Sequence, residues 1–272
     1  MSVNPGRDTR IVRHSMRTYE LMSSSLARYD RQLRLWGKDY QKRLFSSHIL
    51  IQGQNIVSED VLKNILLSGV KTITIIMESS SYQGLFFCED QKKFIDRANS
   101  FNPDCRILKI SELSDVDWPT ISCVCITDVS NKNITLLIEK CQTYHFPVFI
   151  STVFGYYGFL RILDNADSVL QWPSIFDGNK GEFNNEVLAL NSLIECCFDS
   201  VQNSGNLNND LAKHEISSEK LSSIDVDFPP ASFIVGGVVS REVIEFIGNG
   251  ELSNANYFLF DITTPIGYAL KT

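Results

Sequence analysis

Surplus positive charge is the first thing this sequence lacks. Its 25 Lys and Arg are outnumbered by 32 Asp and Glu, for a net charge of −7 over 272 residues. A general nucleic-acid binder needs the opposite balance, because phosphate contacts require spare cations. Long apolar runs are missing as well: no stretch approaches the ~18 residues needed to span a bilayer. The first residues, Met-Ser-Val-Asn-Pro-Gly-Arg-Asp, hold no apolar signal core, so a cytosolic or nuclear protein is expected. Histidine is scarce, with His14, His48, His145 and His214 dispersed along the chain, and none is assigned to a metal or to catalysis. There is no Cys-x-x-Cys pair, which argues against a zinc ribbon or redox motif. The seven cysteines (88, 105, 123, 125, 141, 196 and 197) fall on strand-like and helix-like segments and are expected to be buried, reduced thiols.

The charge that is present is uneven. Residues 1–50 hold ten Lys and Arg against four Asp and Glu. This is either a solvated basic arm or a set of arginines that meet phosphates. Residues 1–25 read as a flexible, polar arm. From 26 to 45, Leu26, Tyr29, Leu33, Trp36, Tyr40 and Leu44 recur at helical spacing, which predicts short helices broken at Gly37.

Beyond these helices the pattern alternates. Strands are predicted at His48–Gln52, Lys71–Met77, Cys105–Ile110, Ser122–Thr127 and Pro147–Ser151. Between them lie helices starting at Ser58 as N-cap, over Glu89–Ser100 and over Asn131–Tyr144. Strands alternating with helices imply a mostly parallel sheet covered on both faces. After Gly155 an antiparallel strand is expected over Tyr156–Leu163, then a loop over 164–185 and a helix over Val187–Val201. A polar insertion follows near 202–227. A helix over Ala231–Ile247, stopped by Gly248, leads to the strand Tyr257–Phe260 and its partner Ile266–Leu270. The fold class is therefore α/β, Rossmann-like, with antiparallel C-terminal strands. It is organised as an arm (1–25) and a single domain (26–272).

A nucleotide-binding fold of this kind places Gly-x-Gly-x-x-Gly between its first strand and helix, so that phosphate can approach the backbone. Here the stretch is Gly53-Gln54-Asn55-Ile56-Val57-Ser58. Only the first glycine remains, Ile56 adds a β-branched side chain, and Ser58 stands at the third glycine position. The acidic residue that would hold a ribose is expected at the end of the second strand, where Met77 offers no acceptor. Gly53, Ile56, Ser58 and Met77 thus mark a degenerate cofactor loop. In the last long helix, Gly236-Gly237 is expected to permit close packing against the sheet or a partner.

The segment Arg28-Tyr29-Asp30-Arg31-Gln32-Leu33-Arg34-Leu35-Trp36-Gly37, followed by Gln41-Lys42-Arg43-Leu44, resembles the opening of the non-catalytic adenylation half of ubiquitin-like modifier activating enzymes. The similarity continues through Lys63–Lys71, Val153–Gly158, Ile234–Ile244 and Tyr257–Asp261. The Val-Phe-Gly-Tyr-Tyr-Gly piece and the closing Phe-Leu-Phe-Asp are nearest to the SUMO-type branch. The chain departs from that pattern in its trimmed central insertion and in Met77, where Asp is usual.

The resemblance implies an inactive ThiF-like adenylation domain that is the smaller half of an obligate heterodimer. ATP and Mg²⁺ would sit in the large catalytic subunit and none on this chain. The modifier's C-terminal carboxylate would be adenylated there and then passed to a cysteine of that subunit. Arg31 would reach across to the ATP phosphates as an arginine finger. The competing reading for Arg31 is a surface salt bridge with Asp30 or Asp39. Arg34 would be structural or interfacial, and Leu35 and Trp36 core or interface anchors. Implied partners are the large subunit and, through it, a SUMO-type modifier, with no nucleic acid or membrane; the implied location is nucleus and cytoplasm. Two alternatives stand beside this: the regulatory subunit of the neddylation-activating enzyme, and a free-standing NAD-binding Rossmann oxidoreductase. A self-sufficient homodimeric adenylyltransferase would need an intact ATP loop.

Overall fold

Alternation along His48–Gln52 (β1) divides the core in two. Ile49 and Ile51 point to one face of the sheet and Leu50 to the other, all fully buried. A strand buried on both faces is what a central parallel strand requires. The computed structural model describes residues 27–77, 82–88, 90–129, 133–164, 228–262 and 266–270. The arm 1–25, the helix expected over Val187–Val201 and the insertion near 202–227 lie outside the described residues.

Two seven-residue helices, α1 (Asp30–Trp36) and α2 (Lys38–Leu44), precede β1, and Gly37 at φ 85° makes the break between them. Then follow α3 (Ile56–Ser68), β2 (Thr72–Ile76), α4 (Gln91–Phe101), β3 (Arg106–Ile110), β4 (Cys123–Ile126), α5 (Ile134–Tyr144), β5 (Val148–Phe154) and β6 (Tyr157–Leu163). The chain ends with α6 (Pro229–Asn249), β7 (Tyr257–Asp261) and β8 (Ile266–Leu270). The strands form one sheet in the order β3-β2-β1-β4-β5-β6-β7-β8. The pairs from β3 to β5 are parallel, and those from β5 to β8 antiparallel.

One face packs Leu50, Val124, Ile126, Val148 and Ile150 under α5 and the 3-10 turn Trp118–Thr120. The other packs Ile49, Ile51, Ile73 and Ile75 under α3, α4 and α6. The described cysteines are free thiols: Cys105, Cys123, Cys125 and Cys141 are buried and Cys88 is half-buried. Burial pushes the Cys105 thiol up to about 12, so it stays protonated and inert at neutral pH.

Two helix boundaries differ from the sequence reading. Ser58 is not the N-cap of α3; Asn55 is, in extended backbone at φ −150°, and Ser58 stands three residues on as the reciprocal half of a capping box. Gly248 does not stop α6. The helix runs to Asn249 and is capped by Gly250 at φ 81°, because Gly248 is where α6 crosses Tyr40. A Cβ there would lie 1.9 Å from the Tyr40 ring, whose hydroxyl donates to the Ile244 carbonyl at 2.9 Å.

His48 ties the N-terminal end of β1 to its neighbours. Its Nδ1 lies 2.8 Å from Thr120 Oγ1 and its Nε2 2.7 Å from Thr74 Oγ1. The Thr120 hydroxyl donates to the Asp117 carbonyl at 2.7 Å, so Nδ1 is the donor to Thr120 and Nε2 accepts from Thr74. Burial holds the imidazole pKa below its ordinary 6.5. Folding therefore favours the neutral ring. The stability tied to it is complete above pH ~6.5 and falls away as pH drops toward the lower folded value. Urea midpoints measured between pH 8 and 5 are expected to fall more steeply for the native chain than for His48→Gln. Equal slopes would assign the pH dependence elsewhere.

Candidate functional site

In an open sheet of this order the ligand crevice lies beyond the carboxyl ends of β1 and β4. Here that crevice is closed by the chain's own groups. The backbone amide and hydroxyl of Thr127, just past β4, both donate to the Gln52 carbonyl, at 2.9 and 3.1 Å. The Asn55 amide nitrogen donates to the Thr127 carbonyl at 2.8 Å. Gly53 turns between them at φ 115°, and a Cβ on it would lie 2.2 Å from Thr127 Oγ1 and 2.9 Å from the Asp128 backbone nitrogen. The one surviving glycine of the loop is thus explained by its backbone angle and by Thr127.

Phosphate binds such a loop through free amides at the helix N-terminus. In α3 the Ser58 amide donates to Asn55 Oδ1 at 2.9 Å, and the Asn55 amide donates to Ser58 Oγ at 2.9 Å. Ile56 opens the helix, half-buried. Glu59 adds a carboxylate to the first turn, the end that attracts anions. One of its oxygens accepts the amides of Phe86 at 2.6 Å and Phe87 at 3.2 Å, and the other accepts the Tyr82 hydroxyl at 3.1 Å. Met77 packs its thioether against the α3–α4 side of the core, while its amide donates to the Ile110 carbonyl at 2.7 Å. Gly53, Ile56 and Ser58 lie together between β1 and α3, and Met77 follows the neighbouring strand β2, but these residues do not fit a nucleotide. The Asn55 and Ser58 amides are engaged by the capping box, the first turn already carries the Glu59 carboxylate, and Met77 offers no oxygen to a ribose.

Gln52 sits at the base of this crevice, 1% exposed, with both side-chain amide atoms buried and unpaired among the described residues. A buried orphan carboxamide costs roughly 1–3 kcal/mol. Gln52→Met, which keeps the length and removes the polar atoms, is expected to raise stability by about 1–2 kcal/mol. Chemical denaturation would show it, and a lower midpoint would mean that the amide has a partner.

Arg31 occupies a separate place. The α1–α2 pair docks on the C-terminal end of α3. Tyr29, just before α1, is buried against Gly69, which caps α3 at φ 93°. Its ring meets Phe45 edge-on at 5.1 Å. Gln32 donates to the Leu67 carbonyl at 3.1 Å, and Gln41 donates to the Ser68 carbonyl at 2.9 Å. Both carbonyls belong to the last turn of α3, where backbone acceptors lack helical donors. Neighbouring charges are consumed: Arg34 pairs with Asp30 at 2.8 Å, Lys42 with Asp39 at 3.3 Å, and Arg28 with Asp104 at 3.2 Å. The salt bridge of Arg31 with Asp30 or Asp39 is thus not formed. Arg31 is exposed and, among the described residues, has no ion pair or hydrogen bond. Leu35, one turn further on, is 75% exposed and so is not a core anchor. Trp36 is half-buried beside Tyr40, with ring centroids 4.9 Å apart.

The Gly236-Gly237 pair serves a helix rather than the sheet. A Cβ at Gly236 would lie 2.8 Å from the Asp60 Cβ on α3, whereas one at Gly237 would meet nothing within 4 Å. Asn64 completes this crossing, donating to Asp60 at 3.0 Å and to Ser240 Oγ at 3.3 Å. The sequence reading missed Thr127 and Glu59. The Asn-x-x-Ser spacing of the capping box was available as a signal. Nothing local points from Thr127 to Gly53.

Comparison with known proteins follows the same lines. Half of this chain is similar to SUMO-activating enzyme subunit 1. The protein of that name from Xenopus tropicalis is 30% identical over 149 residues, 49% of this chain and 43% of that protein. The match thus spans less than half the length of this relative. A longer alignment, to the DNA damage tolerance protein rad31 of Schizosaccharomyces pombe, covers 90% of this chain and 96% of that protein at 24% identity. No family model matches the chain. Among solved structures, E. coli MccB with ATP superposes with a TM-score of 0.58 at 12% identity, over 90% of this chain and 71% of that one. The shared fold is Rossmann-like, a mostly parallel sheet with antiparallel C-terminal strands flanked by helices.

Proposed function

We propose that this chain is the non-catalytic half of a heterodimeric activating enzyme for a SUMO-type modifier, and that it supplies Arg31 in trans. The observation that carries this reading is the exposed guanidinium of Arg31, without an ion pair or hydrogen bond among the described residues, on a helix whose other charges are paired. A planar, permanently charged fork on a protein surface suits a phosphate held elsewhere. The similarity to SUMO-activating enzyme subunit 1 says what kind of enzyme to look for.

In this reading ATP and Mg²⁺ belong to the large subunit, since in this chain Asn55 and Thr127 strap the loop after β1 and Glu59 puts a carboxylate in the first turn of α3. The modifier's C-terminal carboxylate oxygen attacks the α-phosphorus of ATP, the bond to pyrophosphate breaks, and an acyl-adenylate forms. A thiolate of the large subunit then attacks the acyl carbon and AMP leaves. Arg31 stabilises the phosphate charge that develops as pyrophosphate departs.

Affinity purification of the chain from its own cells, with mass spectrometry of a stoichiometric partner, tests the assignment. A large SUMO-activating subunit is expected. A neddylation-type subunit would move the chain to that pathway, and the absence of any large partner would overturn the reading.

A further inference from the structure

Among the described residues, helix α1 meets the rest of the fold through a small set of contacts. None of its seven residues is fully buried; Leu33 and Trp36 are half-buried and Trp36 packs against the core, which leaves the polar contact of Gln32 to complete the setting of its rotation. Tyr29 anchors the chain just before it and Trp36 ends it, half-buried. Between them, Gln32 is the residue whose side chain reaches across, donating to the Leu67 carbonyl of α3 at 3.1 Å. Its Oε1 is buried and, among the described residues, has no hydrogen-bond partner, so the contact rests on the donor. Arg31 is the adjacent residue, turned to solvent by the same rotation that turns Gln32 inward.

From this geometry we infer that Gln32 is a positioning residue for Arg31: its donor bond to the last turn of α3 sets the direction in which the guanidinium leaves the surface. The inference rests on the proposed trans role of Arg31. A misplacement of about 1 Å at a reacting centre is costly because orientation is part of the barrier. A free guanidinium on a long side chain gains its aim only from the helix beneath it.

The test uses the reconstituted complex of the full chain with the large subunit, ATP and the modifier, read by pyrophosphate–ATP exchange. Gln32→Met keeps the length of the side chain and removes the donor. It is expected to lower kcat roughly tenfold, the order of one lost hydrogen bond, with KM for the modifier and the yield of complex unchanged. In an Arg31→Ala background the same substitution should change nothing further, because the group that it aims is gone. Gln32→Lys restores a donor at the end of α3, where a cation is also favoured, and should recover kcat.

The inference would be overturned by an equal loss from Gln32→Met in the Arg31→Ala background, or by failure of Gln32→Lys to recover a loss seen with Gln32→Met. Unchanged kcat in Gln32→Met, with Arg31→Ala impaired, would also overturn it while leaving the trans-arginine reading in place. Full activity of Arg31→Ala would overturn both.

Discussion

Replacing Arg31 by alanine is expected to leave the chain folded and the complex assembled while slowing modifier adenylation by roughly 10²–10³-fold. Folding should be unaffected because the side chain is exposed and makes no ion pair or hydrogen bond among the described residues. Substitutions at such positions usually change stability by less than ~0.5 kcal/mol. The rate should fall because a charged donor aimed at a leaving phosphate works in a water-poor site, where charge is worth far more than at a free surface. Arg31→Lys separates charge from geometry. An ammonium keeps the charge but lacks the planar fork, so it should recover only part of the rate. The measurement is pyrophosphate–ATP exchange in the reconstituted complex, beside a thermal melt of the chain alone. Native exchange in Arg31→Ala would remove the arginine from the mechanism, and an altered melt would mean that the residue is structural.

The second large effect is expected at Gly53. Gly53→Ala should destabilise the fold by about 2–4 kcal/mol, from two causes acting together. The backbone stands at φ 115°, where L side chains are strained, and the new Cβ would overlap Thr127 Oγ1 at 2.2 Å and crowd the Asp128 nitrogen at 2.9 Å. Thr127 has little room to move, since its hydroxyl donates to the Gln52 carbonyl and its own carbonyl accepts from Asn55. Adding Thr127→Ala should recover part of the loss by removing the nearest atom, and not the remainder, which is backbone strain. Urea denaturation of the single and double variants reads both terms. A neutral Gly53→Ala would mean that the loop is not strapped to β4 in this way.

How much of this was legible beforehand depends on how far apart the interacting residues are. The break at Gly37, the strand at His48–Gln52 and the antiparallel turn into β6 follow from neighbours a few residues apart. Alternation and helical stripes report such neighbours directly. The loss of the phosphate loop was legible for the same reason, as a missing glycine pattern in six consecutive positions. Gly248 was misread as a helix stop because, in the sequence, it follows an apolar stripe with a breaker. In the structure it is the notch into which Tyr40, some two hundred residues earlier, fits. Gly236 was expected to face the sheet or a partner, yet it faces Asp60, because α3 and α6 cross there.

By itself, then, the sequence determined the order of strands and helices, the division of the sheet into two buried faces, and a nucleotide loop without its glycines. All of these are matters of local spacing and side-chain size. Only the tertiary structure decided how the loop after β1 is strapped and that, among the described residues, Arg31 is without an ion pair. Thr127 reaches Gly53 because β4 pairs beside β1 in a particular register. Arg31 is spared because Asp30 and Asp39 turn to Arg34 and Lys42 while Gln32 holds the helix down. A hydrogen bond or ion pair forms with whichever group lies within about 3 Å. For residues far apart in the chain, that distance is set by how sheet and helices pack.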